Sequence, residues 1–246
     1  GADASRDSQG FIMNKQRTTS SLNFPIDGDM AVTGYSQKDG AKVEIVSAPE
    51  DSTDGSFDAL GNGLGDFTIE FWLKCNYVSD SANVIYQSVG YNPSDENWTG
   101  LDIFLDYNNS LQGYFYYHSE SDQENWFNSD AGDNDIDFND GEWHHCVFIA
   151  DRSANATLIV DKQVESIVDI SGRSSLECFT SSQKIGSSKS ESGYYGTNRD
   201  SSAVIFDDFR IYKKALSFDT DGTIAIDETV TSGEVLRNYN AGKRSH

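Results

Sequence analysis

Residues 66–74 limit what this chain can fold into. Phe67, Ile69, Phe71 and Leu73 alternate with Thr68, Glu70, Trp72 and Lys74. A period of two puts the four apolar side chains on one face of an extended strand. That is a core strand of a sheet protein, and no chemistry is expected on it: Glu70 stands alone between Thr68 and Trp72. Residues 83–89, 101–107 and 111–118 repeat the alternation, and Asn108-Asn109-Ser110 makes a tight reversal that turns the last two into a hairpin. Residues 21–26 and 42–46 also read as strands. With 21 glycines, 3 prolines and abundant Ser, Asn and Asp, the composition suits short strands joined by turns. A length of 246 residues accommodates one large all-β domain with a substantial core.

Charge narrows the partners. Forty acidic residues against 18 basic ones give a net charge of −22. A field of that sign opposes binding to phosphate backbones and to anionic lipid, so nucleic acid is not an expected partner. No apolar run approaches the roughly 20 residues needed to span a bilayer. Cys75, Cys146 and Cys178 are an odd set and define no disulfide framework. Cys146, beside Val147 and Phe148, reads as a small buried apolar residue.

Two acidic segments invite a cation reading. Residues 119–141 hold Asp130, Asp133, Asp135, Asp137 and Asp140, but no frame supplies both the Gly and the Glu that an EF-hand loop needs. A solvated acidic turn is expected there. From Ser217 the chain runs Asp219, Asp221, Gly222, Ile224 and Glu228, close to that pattern, yet no amphipathic helix pair flanks it. A polar hairpin is expected there. His144 and His145 are adjacent on a strand, so they face opposite ways and cannot share one metal.

Several segments, in order, resemble the laminin G-like, or concanavalin A-like lectin and glucanase, family. They are the strand at 66–74, Lys42-Val43-Glu44-Ile45-Val46, the Trp143-His144-His145 run, the hairpin from Leu158 to Val164 with Lys162 where a turn glycine is usual, and Lys184-Ile185-Gly186. The most specific is Asp207-Asp208-Phe209-Arg210-Ile211-Tyr212 followed by Ala215-Leu216; residues 233–242 are similar to the short terminal helix that follows it in the family. The resemblance implies an all-β jelly-roll sandwich with a short C-terminal helix. Residues 35–246 would form the domain and residues 1–34 an arm with a possible edge strand. It also implies a structural calcium ion held from the closing strand by Asp207 or Asp208. Period-two alternation from Phe209 and Ile211 places Asp207 on the inward face. Asp39 occupies the turn where the family has its Phe-Asp-Gly, which makes it the third calcium candidate.

Function is not decided by such a fold, which hosts lectins, adhesion domains, glycosidases and lyases. Glycosidases of this fold resemble one another in a Glu-x-Asp-x-x-Glu strand, which is missing here, and no nucleophile elbow is present. The chain therefore reads as non-catalytic. Aromatic side chains in polar loops suit sugar rings: Trp98 with Asn97 in the loop 90–100, Trp126 in the segment 119–141, and Tyr194 with Tyr195. Tyr114 and Tyr116 share one strand face and can line a concave surface. The leading expectation is a carbohydrate-binding, lectin-like module that takes a polysaccharide or glycan, extracellular or at the cell surface, with its export signal outside these residues. The alternative is a structural or protein-adhesion domain; a glycoside hydrolase or polysaccharide lyase ranks third.

Overall fold

The computed structural model of the protein describes residues 22–24, 42–46, 65–75, 83–92, 97–106, 110–116, 126–129, 136–173, 182–186 and 204–243. Among them, two six-stranded sheets form. The first holds β1 (Leu22–Phe24), β12 (Val204–Tyr212), β3 (Phe67–Cys75), β8 (Trp143–Ala150), β9 (Asn155–Val160) and β10 (Gln163–Asp169), in that spatial order. The second holds β2 (Lys42–Val46), β11 (Ser182–Gly186), β4 (Asn83–Asn92), β5 (Asn97–Leu105), β6 (Leu111–Tyr116) and β7 (Trp126–Asn128). The pairings among these strands are antiparallel. Strand β1 lies at the edge of its sheet, paired to β12.

Alternation explains which faces meet. Phe67, Ile69, Phe71 and Leu73 of β3, and Cys146, Phe148 and Ala150 of β8, join Leu101, Ile103 and Leu105 of β5 and Phe115 of β6 in one buried core. Aromatic rings bridge the two sheets. Phe148 stacks on Phe127 of β7 at 4.3 Å between centroids, and lies 5.5 Å from Phe115. Phe209 of β12 stacks on Phe71 at 5.6 Å and meets Tyr86 of β4 at 6.1 Å. Phe127 reaches Phe148 because its ring lies over Gly113, where a Cβ would stand 1.9 Å from the Phe127 Cζ. Cys75 and Cys146 are buried, and burial, with the Asp161 charge second, pushes the Cys146 thiol well above its usual range.

The outer side of the first sheet is covered in turn. A two-stranded hairpin, β13 (Phe218–Thr220) and β14 (Val230–Ser232), leads into the helix α1 (Gly233–Gly242). The segment read as a polar hairpin is therefore one. Val235 and Tyr239, one helical turn apart, are buried, and with Leu216 and Val230 the helix packs on Val147, Ile149 and Ile159 in a second apolar cluster. Tyr239 stacks on Trp72 at 5.8 Å.

The closing strand departs from simple alternation. Asp207 pairs with Trp72 and Arg210 with Glu70, so Asp208 and Phe209 together oppose Phe71. This is a β-bulge, with Asp208 in the left-handed region at φ 50°. The extra residue moves Asp207 off the inward face. It shares the outer, helix-covered face with Trp72, while Phe209 alone turns into the core.

Candidate functional site

Two polar assemblies stand out. The first is buried between the first sheet and α1. Glu70 is 2% exposed, and its carboxylate accepts from the His145 Nε2 at 2.8 Å, the Tyr212 hydroxyl at 2.7 Å and the Asn238 Nδ2 at 3.0 Å. The Arg210 guanidinium lies 3.9 Å away. Burial opposes ionisation of Glu70, but the His145, Tyr212 and Arg210 partners outweigh it and hold the carboxyl below its ordinary value. Burial and the Glu70 charge push the Tyr212 hydroxyl up to about 12. An ionised carboxylate accepts only, so the His145 Nε2 carries the hydrogen it shares. The His145 Nδ1 is buried without a hydrogen-bond partner. Trp72 and Tyr239 cover His145, and the Asn238 bond to Glu70 pins the helix to the sheet.

The neighbouring histidine faces the other way, as adjacent strand positions require. The His144 Nδ1 lies 2.7 Å from the Asp161 Oδ2, and its Nε2 lies 3.3 Å from the Asp140 Oδ1. Burial lowers its pKa, but the two carboxylates overcome that and raise it above 6.5. A raised pKa in the folded state stabilises the fold below pH 6.5, and the gain is lost as pH rises through the folded value. The stability difference between the protein and a His144→Gln variant should therefore be largest below pH 6.5 and shrink as pH rises above it. Urea denaturation at several pH values measures it; a constant difference contradicts the assignment.

The second assembly lies on the outer face of the second sheet. Cross-strand register sets Glu44, Lys184, Gln87, Asp102, Tyr114 and Trp126 opposite one another, one from each of the six strands. Directly opposed residues share a face, and this one is opposite to Leu101, Ile103 and Phe115 of the core. The Gln87 Nε2 donates to the Asp102 Oδ2 at 3.2 Å. Tyr114 stacks on Phe104 at 5.4 Å with 18° between planes. Beside them the Gln112 Nε2 donates to the Asp106 Oδ2 at 3.0 Å and to the Ser110 hydroxyl at 2.7 Å. Asp102 is 1% exposed.

Register also locates the aromatic positions expected to meet sugar. Trp98 pairs with Tyr91 and Tyr116 with Gly100, and both pairs lie on the same face as Asp102. Trp98 and Trp126 are strand positions, not loop positions: β4 runs on to Asn92 before β5 opens at Asn97, and Trp126 opens β7. Alternation puts Asn97 on the opposite face from Trp98. The side chains of Asn97, Trp98, Tyr116 and Trp126 lie outside the described residues, as do Tyr194, Tyr195 and Asp39 altogether. Asp102, Gln87 and Phe104 were not foreseen, although an Asp inside the run Leu101-Asp102-Ile103-Phe104-Leu105 was a visible signal.

Two of the calcium candidates, Asp207 and Asp208, lie among the described residues. The Asp207 Oδ1 accepts from the Asp208 amide at 2.8 Å, and the Asp208 Oδ2 lies 3.0 Å from the Arg210 Nη2. Among the described residues no three such side chains converge to hold a metal, so these aspartates alone do not fit one. Nor is any described helix long and apolar enough to cross a membrane.

A model of the concanavalin A-like lectin/glucanases superfamily, Laminin_G_3, matches residues 49–220. The chain belongs to this family. No curated protein matches it. Among solved structures, the Laminin_G_3 fold is similar to the botulinum neurotoxin serotype D/C VPI 5993 binding domain, with 17% identity and a TM-score of 0.54 over 80% of this chain and 41% of that one. A second similar structure is of botulinum neurotoxin type C, whose cell entry depends on interaction with two ganglioside molecules. It has 15% identity and a TM-score of 0.53 over 92% of this chain and 46% of that one. A third, a botulinum neurotoxin DC binding domain in complex with rat synaptotagmin II, has 16% identity and a TM-score of 0.50 over 72% and 38%. The chain thus matches less than half the length of these structures, and at such identity the likeness is one of fold.

Proposed function

We propose that this Laminin_G_3 domain is a non-catalytic, lectin-like carbohydrate-binding module that acts outside the cell or at its surface, with the outer face of the second sheet as its glycan site. The half-buried Gln87 and Tyr114, with Trp126 next in the row, carry the reading, and the buried Asp102 holds Gln87 in place. Sugar rings lay their apolar faces on aromatic rings, and their hydroxyls exchange hydrogen bonds with amides and carboxylates. The Gln87–Asp102 hydrogen bond and the Tyr114–Phe104 stack order these groups before a ligand arrives, which lowers the entropy cost of binding. At a strand spacing of about 4.8 Å, a row across six strands is about 24 Å long and suits an extended oligosaccharide. The ganglioside dependence of the similar type C neurotoxin supports a glycan as the ligand class.

Among the described residues of this face, carboxylate spacing supports a binding role over hydrolysis. Asp106 is four residues along from Asp102, about 13 Å. Glycoside hydrolysis calls for two carboxyl groups about 5–9.5 Å apart.

A glycan array probed with the protein, Trp98→Ala and Trp126→Ala tests the reading. At least one glycan should bind, and Trp126→Ala should weaken it about tenfold or more. Absence of binding to every glycan tried overturns the proposal. A structural calcium ion would need ligands beyond Asp207 and Asp208. If it is present, chelation with EDTA lowers the melting temperature, and an unchanged value removes it.

A further inference from the structure

Behind the first sheet, on the side away from the glycan face, an open pocket of about 320 Å3 lies beside the β13–β14 hairpin. Its apolar wall is built from Ile149 of β8, Ile167 of β10, Leu216, Phe218 and Ile224. It continues the second apolar cluster, to which Ile149 and Leu216 belong. Asp151, just past the end of β8, is the one charged residue among the described residues that line it. The Asp151 Oδ1 accepts from the Ser153 amide at 3.0 Å and hydroxyl at 2.8 Å, which orients the carboxylate.

The hairpin adds a second observation. Ile224 is 42% exposed and Ile226 37%, and they are the exposed large apolar side chains among the described residues. Around them the hairpin carries Asp219, Asp221, Asp227 and Glu228, with no lysine or arginine between residues 217 and 232. Solubility accounts for an acidic turn, but not for two exposed isoleucines on it, one of which, Ile224, lines the pocket. A pocket with an aliphatic and aromatic wall, polar Asn155, Thr157 and Ser217, and one carboxylate in its lining complements a long aliphatic stem that ends in a cation. A field from a net charge of −22 draws cationic partners towards it.

We propose that this pocket receives a lysine or arginine side chain from a basic, aliphatic-rich segment of a partner polypeptide, with Ile224 and Ile226 meeting its apolar neighbours. The stem packs on Ile149, Ile167 and Phe218, and the charged head pairs with Asp151. This surface is independent of the glycan face, since it lies on the other sheet and shares none of its residues.

Fluorescence anisotropy with a labelled peptide of alternating leucine and lysine tests it, beside a leucine–glutamate peptide and an all-lysine peptide of equal length. The leucine–lysine peptide should bind best, and Asp151→Asn and Ile224→Ser should each weaken it by about fivefold or more. Asn keeps an oxygen for Ser153, and Ile224 is exposed, so both variants should keep the wild-type melting temperature. No binding of the leucine–lysine peptide overturns the proposal. So does equal binding by both variants, or equal binding of the all-lysine peptide, since each reports attraction to net charge alone. Both variants should bind glycan as the wild type does, so failure here and failure of the glycan reading are separable.

Discussion

Replacing Glu70 with alanine is expected to lower the free energy of unfolding by about 3–5 kcal/mol. The carboxylate is the common acceptor for His145, Tyr212 and Asn238, contributed by β8, β12 and α1. Without it, the His145 and Tyr212 donors lose this acceptor, Asn238 keeps only its longer bond to the Tyr212 hydroxyl at 3.3 Å, and Arg210 loses a charge it faces at 3.9 Å. Orphaning a buried donor costs its full desolvation, which exceeds the net gain of an ordinary hydrogen bond. Glu70→Gln should fall between, because one oxygen still accepts from His145 while the amide nitrogen meets the Asn238 donor. Acid provides a second readout. The pKa of Glu70 is depressed from 4.5, so its contribution is full above that pH and is lost as pH falls through the folded value. Urea denaturation of the protein and the alanine variant should therefore differ most at neutral pH and converge in acid. A difference below about 1 kcal/mol at pH 7 would contradict the assigned role.

Phe148→Ala should cost a similar amount, about 3–5 kcal/mol. The ring touches Phe127 and Phe115 of the opposite sheet and Phe67 of its own, so its loss opens a cavity between the layers. The cavity cannot collapse easily, since Phe127 is seated on Gly113 and both sheets are fixed by their ladders. Phe148→Leu keeps most of the volume and should cost less than about 1.5 kcal/mol. Chemical denaturation of the three proteins measures both values. An alanine variant as stable as the leucine variant would mean that the rings do not hold the sheets together.

The alternation of Phe67, Ile69, Phe71 and Leu73 was enough to orient β3, and the structure keeps those four residues in the core. The helix at 233–242 was legible for the same kind of reason, because its segment resembles a known closing element. Asp207 was misplaced because a bulge adds one residue at Asp208, and a period-two count has no means of sensing an insertion. Trp98 and Trp126 looked like loop residues because their neighbours are Asn, Asp and Gly; pairing with Tyr91 and Tyr114, invisible in a linear pattern, extends the strands through them. Glu70 looked solitary since its partners His145 and Asn238 lie 75 and 168 positions away. The proposed glycan face has the same origin. Gln87, Asp102 and Tyr114 become a row only when three strands are set in register.

Isothermal titration of the best glycan from the array into the protein and into Tyr114→Ala, with each shown to be folded by circular dichroism, tests that face most directly. Tyr114 is the described aromatic side chain of the row, between Asp102 and Trp126. The protein should bind the glycan, and the variant should bind about ten- to a hundredfold more weakly. Equal affinity in a folded Tyr114→Ala variant would contradict the placement of the site on this sheet.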